Sequence, residues 1–272
     1  MNSKKIFVPI DFTATSEQSI SQAVSLSRKA NYSISLFHVI SDESSGKDNN
    51  KVVLDKLKEK AEMIIKDGIN CDYQVAGGSI FEEIPRVANK FDHQLMLIGT
   101  HGIKGIKQKL FGADMLKLIR KVKIPCLVIQ SDCVCRDYNP IVLPVGGHEG
   151  FRSLIDATAM MAKLFGSEVH IYSVVRKGDE GSPKLRENTA FAIRHFEENK
   201  IPFKRVAEEV TVISVGFAKQ TLQYANKVSA GLISIMSVKT DEYYYFAQAD
   251  KETMINNEFG IPVLCASGLV SY

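Results

Sequence analysis

No stretch of this 272-residue sequence approaches the roughly 18 consecutive apolar residues of a membrane helix. The basic start, Met1 to Lys5, is followed by an apolar run that stops at Asp11, too short for the core of a secretory signal. An excess of one charge is also missing. Against 34 Lys and Arg stand 31 Asp and Glu, and the formal +3 gives no electrostatic footprint for nucleic acid. Cysteine is sparse and scattered, at Cys71, Cys126, Cys133, Cys135 and Cys265. Cys133 and Cys135 form the one close pair, with no second ligand pair or histidine beside it, which disfavours a metal centre. Cys126 and Cys265 lie in apolar runs and read as reduced, buried strand residues. No Walker-type Gly-Lys-Ser, Ser-His-Asp or Cys-His arrangement, carboxylate pair or metal-ligand cluster stands out. These absences predict a soluble, cytoplasmic protein with neither nucleic-acid nor membrane partners.

What is present is a repeat. The 45% hydrophobic content suffices for one large domain or two of about 130 residues each. Lys5–Asp11 reads as a buried strand ending in an acid, followed by a helix over 15–30 carrying Ile20, Ala23, Val24 and Ser27. The strand Ser33–Ile40, a helix over 51–67, a short strand Asp72–Val75 and a helix Ile80–Asn89 come next. The strand Leu95–Ile98, a helix over 113–121 and the strand Ile124–Gln130 close the set. Strand and helix alternate five times, the pattern of a parallel sheet covered on both faces. The pattern then recurs. Ile141–Val145 matches Ile6–Ile10, and Ile171–Val175 matches Leu36–Ile40, both at an offset of 135. Helices are expected near 150–165, 184–199 and 216–228. By the fourth strand the offset is 137: Leu95 meets Leu232, Ile98 meets Ile235, and Ile124-Pro125 meets Ile261-Pro262. The expected organisation is a first domain over 1–132, a linker over 133–138 and a second domain over 139–272.

One feature does not repeat. After the fourth strand of the first copy stands Gly99-x2-Gly102-x9-Gly112, opposite Met236, Lys239 and Ala249 in the second. The Pro9-x-Asp11 strand end, this glycine loop and the final Ile-Pro-x-Leu-Val strand resemble the universal stress protein family, and the two copies resemble its tandem form. The resemblance implies that each domain is α/β, a doubly wound parallel sheet of five strands in the order 3-2-1-4-5. It also implies that the two last strands pair, making a pseudo-dimer within one chain. Strands one and four are then neighbours with connections leaving to opposite faces, the switch point where such sheets hold ligands.

By the same resemblance the loop would hold ATP or another adenine nucleotide. Pro9 and Asp11 would sit at the adenine or ribose end, with the backbone near Val39 facing the base. Gly99, Gly102 and Gly112 give backbone clearance and lead into a helix N-terminus suited to phosphate, and His101 would reach a phosphate or ribose oxygen. Read on their own, Asp11 is equally a helix cap, His101 a surface residue, and the glycines turn residues. The family's Ser or Thr after the third glycine is here Ala113, and Asp114 beside it would oppose phosphate unless a metal ion such as magnesium intervenes. Lys104, Lys107 and Lys109 push the other way.

In the second copy Gly146 replaces Asp11, and SVKTDEYYYFAQAD replaces the loop, with Asp241, Glu242 and Asp250 adding acid. Tyr243, Tyr244, Tyr245 and Phe246 either fill the cleft or form a contact patch for a protein partner. The expectation is an adenine-nucleotide-binding stress or regulatory protein, monomeric or homodimeric, holding its ligand in the first domain. A slow ATP hydrolase and a ligand-free interaction module remain alternatives. DFTAT after strand one lacks the SGGxDS-like loop of related folds that attack the α-phosphate.

Overall fold

The computed structural model describes residues 4–40, 47–90, 92–100, 112–130, 133, 137–147, 149–178, 181–210, 217–237 and 244–268. The first half runs β1 (Lys5–Pro9), α1 (Ala14–Ala30), β2 (Ser33–Ile40), α2 (Lys47–Lys66), β3 (Cys71–Gly77), α3 (Ile80–Ala88), β4 (His93–Thr100), α4 (Gly112–Ile119) and β5 (Cys126–Gln130). The second repeats the order with β6 (Ile141–Pro144), α5 (Phe151–Phe165), β7 (Val169–Arg176), α6 (Pro183–Glu198), β8 (Phe203–Val210), α7 (Ala218–Lys227), β9 (Leu232–Met236), α8 (Tyr244–Ile255) and β10 (Val263–Ala266).

All ten strands form one sheet, ordered β3-β2-β1-β4-β5-β10-β9-β6-β7-β8. Each half is therefore 3-2-1-4-5, parallel within itself, and the halves join where β10 runs antiparallel to β5. Alternation along each strand sends side chains to two separate cores. Ile6, Val8, Leu95 and Leu97 pack with residues of α1, α2, α5 and α6, whereas Phe7, Met96, Ile98 and Val128 pack with residues of α3, α4, α7 and α8. Strands buried on both faces explain the continuous apolar runs IFVPI and LMLI. The halves are also tied by side chains. Arg120 Nε donates to the Ser237 carbonyl at 2.7 Å, and the buried Tyr138 hydroxyl donates to Gln22 Oε1 at 2.7 Å.

One segment differs from the sequence expectation. Tyr244, expected in a loop, begins α8. The second copy has no glycine there to stop the helix, and alanine and glutamine favour it. The strand β8, with its alternating KRVAEE polarity, forms an edge paired only with β7.

Candidate functional site

The cleft follows from how β1 leaves β4. Their ladder pairs Lys5 with His93, Ile6 with Leu95 and Phe7 with Met96, and goes no further. Pro9 has no N–H to continue a ladder, although its residue still aligns with Phe37 of β2, while β4 stays paired with β5 through Thr100. Three residues beyond the last β1–β4 pair come Ile10 on one strand and Gly99 on the other. The chain leaves β1 into α1 on one face and leaves β4 toward α4 on the other, so the two strand ends open a crevice between helices of opposite faces.

Asp11 stands exposed at the mouth of this crevice. Its Oδ1 accepts from the Thr13 amide at 3.1 Å and the Thr13 hydroxyl at 2.6 Å. The N-cap of α1 is Thr13 itself, whose side chain accepts from the Ser16 amide. Asp11 thus fixes the turn ahead of the helix with one oxygen. Phe12 between them takes a left-handed φ of 61°, and its ring packs 5.0 Å from His38. His38, next to Val39 on β2, joins this end of the sheet, and its signal in the sequence is a histidine that breaks the apolar run SISLFHVI. Burial pushes its imidazole below the ordinary value, so the neutral ring donates from Nδ1 to the Ile10 carbonyl, 2.7 Å away. Val39 is partly buried beside it.

Gly99 lies in β4 opposite Ile129. A Cβ added there would meet Thr15 Cγ2 at 2.7 Å and the Thr15 backbone at 3.1 Å. The glycine is therefore needed for α1 to lie close on β4, where the helix presents small buried residues, Thr15, Ser16, Ser19 and Ala23. On the far side Gly112 opens α4, Ala113 is exposed and Asp114 is partly buried in the first turn. The fold thus brings Pro9, Asp11, Val39 and Gly99 to one end of the sheet and sets the start of α4 on the opposite face. His101 and Gly102 lie outside the described residues, as do Lys104, Lys107 and Lys109.

The matched region of the second half is built differently. Met236 stands in place of Gly99 and is 3% exposed. Gly150, at the start of α5, matches Thr15, and a Cβ there would come 3.7 Å from Met236 Cε. The Gly146 carbonyl accepts from Asn188 of α6 at 2.8 Å. Lys184 bridges Glu187 at 3.1 Å and Glu149 at 3.4 Å. Asp250, expected to add charge to the cleft, instead accepts from the Phe217 amide at 3.0 Å at the start of α7, and burial pushes its carboxyl up. Tyr243, Asp241 and Glu242 fall outside the described residues; Tyr244, Tyr245 and Phe246 are placed by their backbone in α8. Cys133 is a partly buried free thiol, and Cys135 lies outside the described residues. No helix among the described residues is long and apolar enough to cross a membrane, and none of their His, Cys, Asp and Glu residues cluster as metal ligands.

Comparison with known proteins agrees with this fold. Residues 2–130 match the model of the Universal stress protein family. The universal stress protein Sll1388 of Synechocystis is 21% identical over 149 residues, covering 46% of this chain and 97% of that protein. A universal stress protein of Archaeoglobus fulgidus superposes over 98% of this chain and 100% of its own, with a TM-score of 0.78 at 16% identity. A functionally unknown protein of Pseudomonas aeruginosa, PA1789, covers 97% of this chain and 92% of its own, with a TM-score of 0.63 at 15% identity. At such identity the two structures share the fold, and they share it over both halves. Through residues 2–130 the chain belongs to the universal stress protein family.

Proposed function

We propose that the protein is a cytoplasmic stress-response or regulatory protein that binds one adenine nucleotide, ATP or a relative, in its first half. The observation that carries the reading is the crevice where β1 and β4 part, with the exposed Asp11 carboxylate at one strand end and the helix start at Gly112 beyond the other. A carboxylate whose Oδ1 is already oriented by Thr13 is set to accept from an adenine amine or a ribose hydroxyl. The first amides of α4, with no side chain at Gly112, suit a phosphate. These residues fit a nucleotide, with one discordant note. Asp114 in the first turn of α4 opposes a phosphate, so magnesium would be the natural counter-ion for a triphosphate, and a less charged nucleotide would need none.

The second half supports one ligand per chain. Met236 fills the place of Gly99, and Asn188, Lys184 and Glu149 occupy the surroundings of Gly146. Among the described residues of the first site none supplies an evident nucleophile or proton relay, and the reading is a binding protein rather than an enzyme. With β5 and β10 already paired, the edge strands that would join two separate domains are used inside the chain, which favours a monomer. The test is mass spectrometry of small molecules released by denaturing freshly purified protein. An adenine nucleotide is expected, and protein free of nucleotide that also fails to bind added ATP, ADP or AMP would overturn the reading.

A further inference from the structure

The seam between the halves holds a pair of thiols that the nucleotide site does not use. The register of β10 on β5 sets Cys265 directly opposite Cys126, with Leu264 opposite Leu127 and Val263 opposite Val128. Both cysteines are fully buried and belong to the same core, so their side chains leave the sheet on the same face. Directly opposed residues of an antiparallel pair have Cα atoms roughly 4.5–5.5 Å apart, inside the range a disulfide spans. Their Cβ atoms, roughly 4.5–5.5 Å apart, need only a small approach. Both are free thiols.

We propose that Cys126 and Cys265 are a latent cross-strand disulfide that locks the two halves together on exposure to a small-molecule disulfide. The Cys265 thiol gives up its proton and its sulfur attacks one sulfur of the oxidant, releasing one small thiolate. The Cys126 sulfur then attacks the mixed disulfide and releases the second. Two protein thiols are oxidised, one small disulfide is reduced to two thiols, and both protons leave with them. Lys251 of α8 bears on Cys265. Its ammonium is held down to about 8 by burial and by Arg120, and its charge favours the Cys265 thiolate. Burial dominates, however, and pushes the Cys265 thiol up to about 12 and that of Cys126 upward. The reaction therefore waits on opening of β10, a four-residue interior strand held to β5 through three residue pairs and to β9 through four. The product is a lock, formed slowly and kept.

The experiment uses full-length protein with Cys71→Ser, Cys133→Ser and Cys135→Ser, incubated with oxidised glutathione with and without sub-denaturing urea. Expected are a mass lower by two hydrogens, a linked peptide pair containing Cys126 and Cys265, and a Tm raised by about 5 °C that reverts with dithiothreitol. Peptide mapping of oxidised wild-type protein gives the same readout should the triple variant fold poorly. A stable glutathione adduct without the linked pair would overturn the proposal. So would thiols that iodoacetamide alkylates in urea but that never link.

Discussion

The two halves solve one contact in opposite ways. In the first, bulk sits on the helix and the strand gives way: Thr15 of α1 presses on Gly99 of β4. In the second, the strand carries the bulk: Met236 of β9 lies beside Gly150, where an added Cβ would make an ordinary 3.7 Å contact and the left-handed φ of 70° is what favours glycine. The positions correspond in the repeat, and the close contact at Gly99 is the one that demands a glycine. It shows that a glycine at the end of the fourth strand is first a packing residue. On the proposed function a ligand would lie beyond this contact, where the strand end of the first half carries no side chain and that of the second carries a buried methionine.

Breaking the second-half contact should have the largest effect. Met236→Gly leaves a cavity between two small residues and is expected to cost about 3–5 kcal/mol, seen as a lower midpoint in urea unfolding. It should not create a second nucleotide site, because Gly146 still lacks a carboxylate. Asp11→Ala is expected to weaken nucleotide binding ten- to a hundredfold, about 1.5–3 kcal/mol by calorimetry, while Asn188→Ala in the second half leaves affinity unchanged. Equal losses from both variants would erase the distinction between the halves.

Gly99→Met, which copies the second half's strand into the first, should destabilise by about 1–3 kcal/mol through collision with Thr15. The double change Thr15→Gly with Gly99→Met should recover part of that loss, a coupling of at least about 1 kcal/mol in a double-mutant cycle. Strict additivity would mean that the two contacts are not equivalent.

The smallest effect is on pH dependence. His93 in the first half and His170 in the second are 3% and 2% exposed, and burial pushes both imidazoles below the ordinary value. His93 holds the Val87 carbonyl at 2.9 Å, and His170 lies between Glu168 at 2.8 Å and the Tyr224 hydroxyl at 3.0 Å, with Lys204 on the same carboxylate. A base with a lowered folded pKa binds fewer protons folded than unfolded. The stability is therefore complete above about pH 6.5 and declines as pH falls below it. Thermal melts should show Tm falling between about pH 7 and pH 5.5, less steeply in His93→Gln. A wild-type Tm that does not change over that window would contradict the assignment.

The middle of the sheet is legible in the sequence because its strands are buried on both faces, so IFVPI and its counterpart IVLPV announce themselves without alternation. The repeat then supplied the strand order through its resemblance, and the β5–β10 seam followed. What stayed hidden depends on contacts between distant residues. Nothing near Gly99 in sequence points to Thr15, and nothing near Asp250 points to the Phe217 amide it accepts from. The start of α8 at Tyr244 stayed hidden because the aromatic run there reads as part of a connecting segment. Asp11 shows the remaining ambiguity resolved in part. The alternatives were a helix cap and a ligand, and the structure puts one oxygen on Thr13 while the residue stays exposed at the crevice.

The repeat holds two copies of one fold and, on the proposed function, a single nucleotide site. Isothermal titration of the full-length protein with ATP and magnesium tests it most directly, repeated with Asp11→Ala. The account predicts a stoichiometry near one per chain, with the heat strongly reduced in the variant. A stoichiometry near two, or binding that Asp11→Ala leaves unchanged, would contradict it.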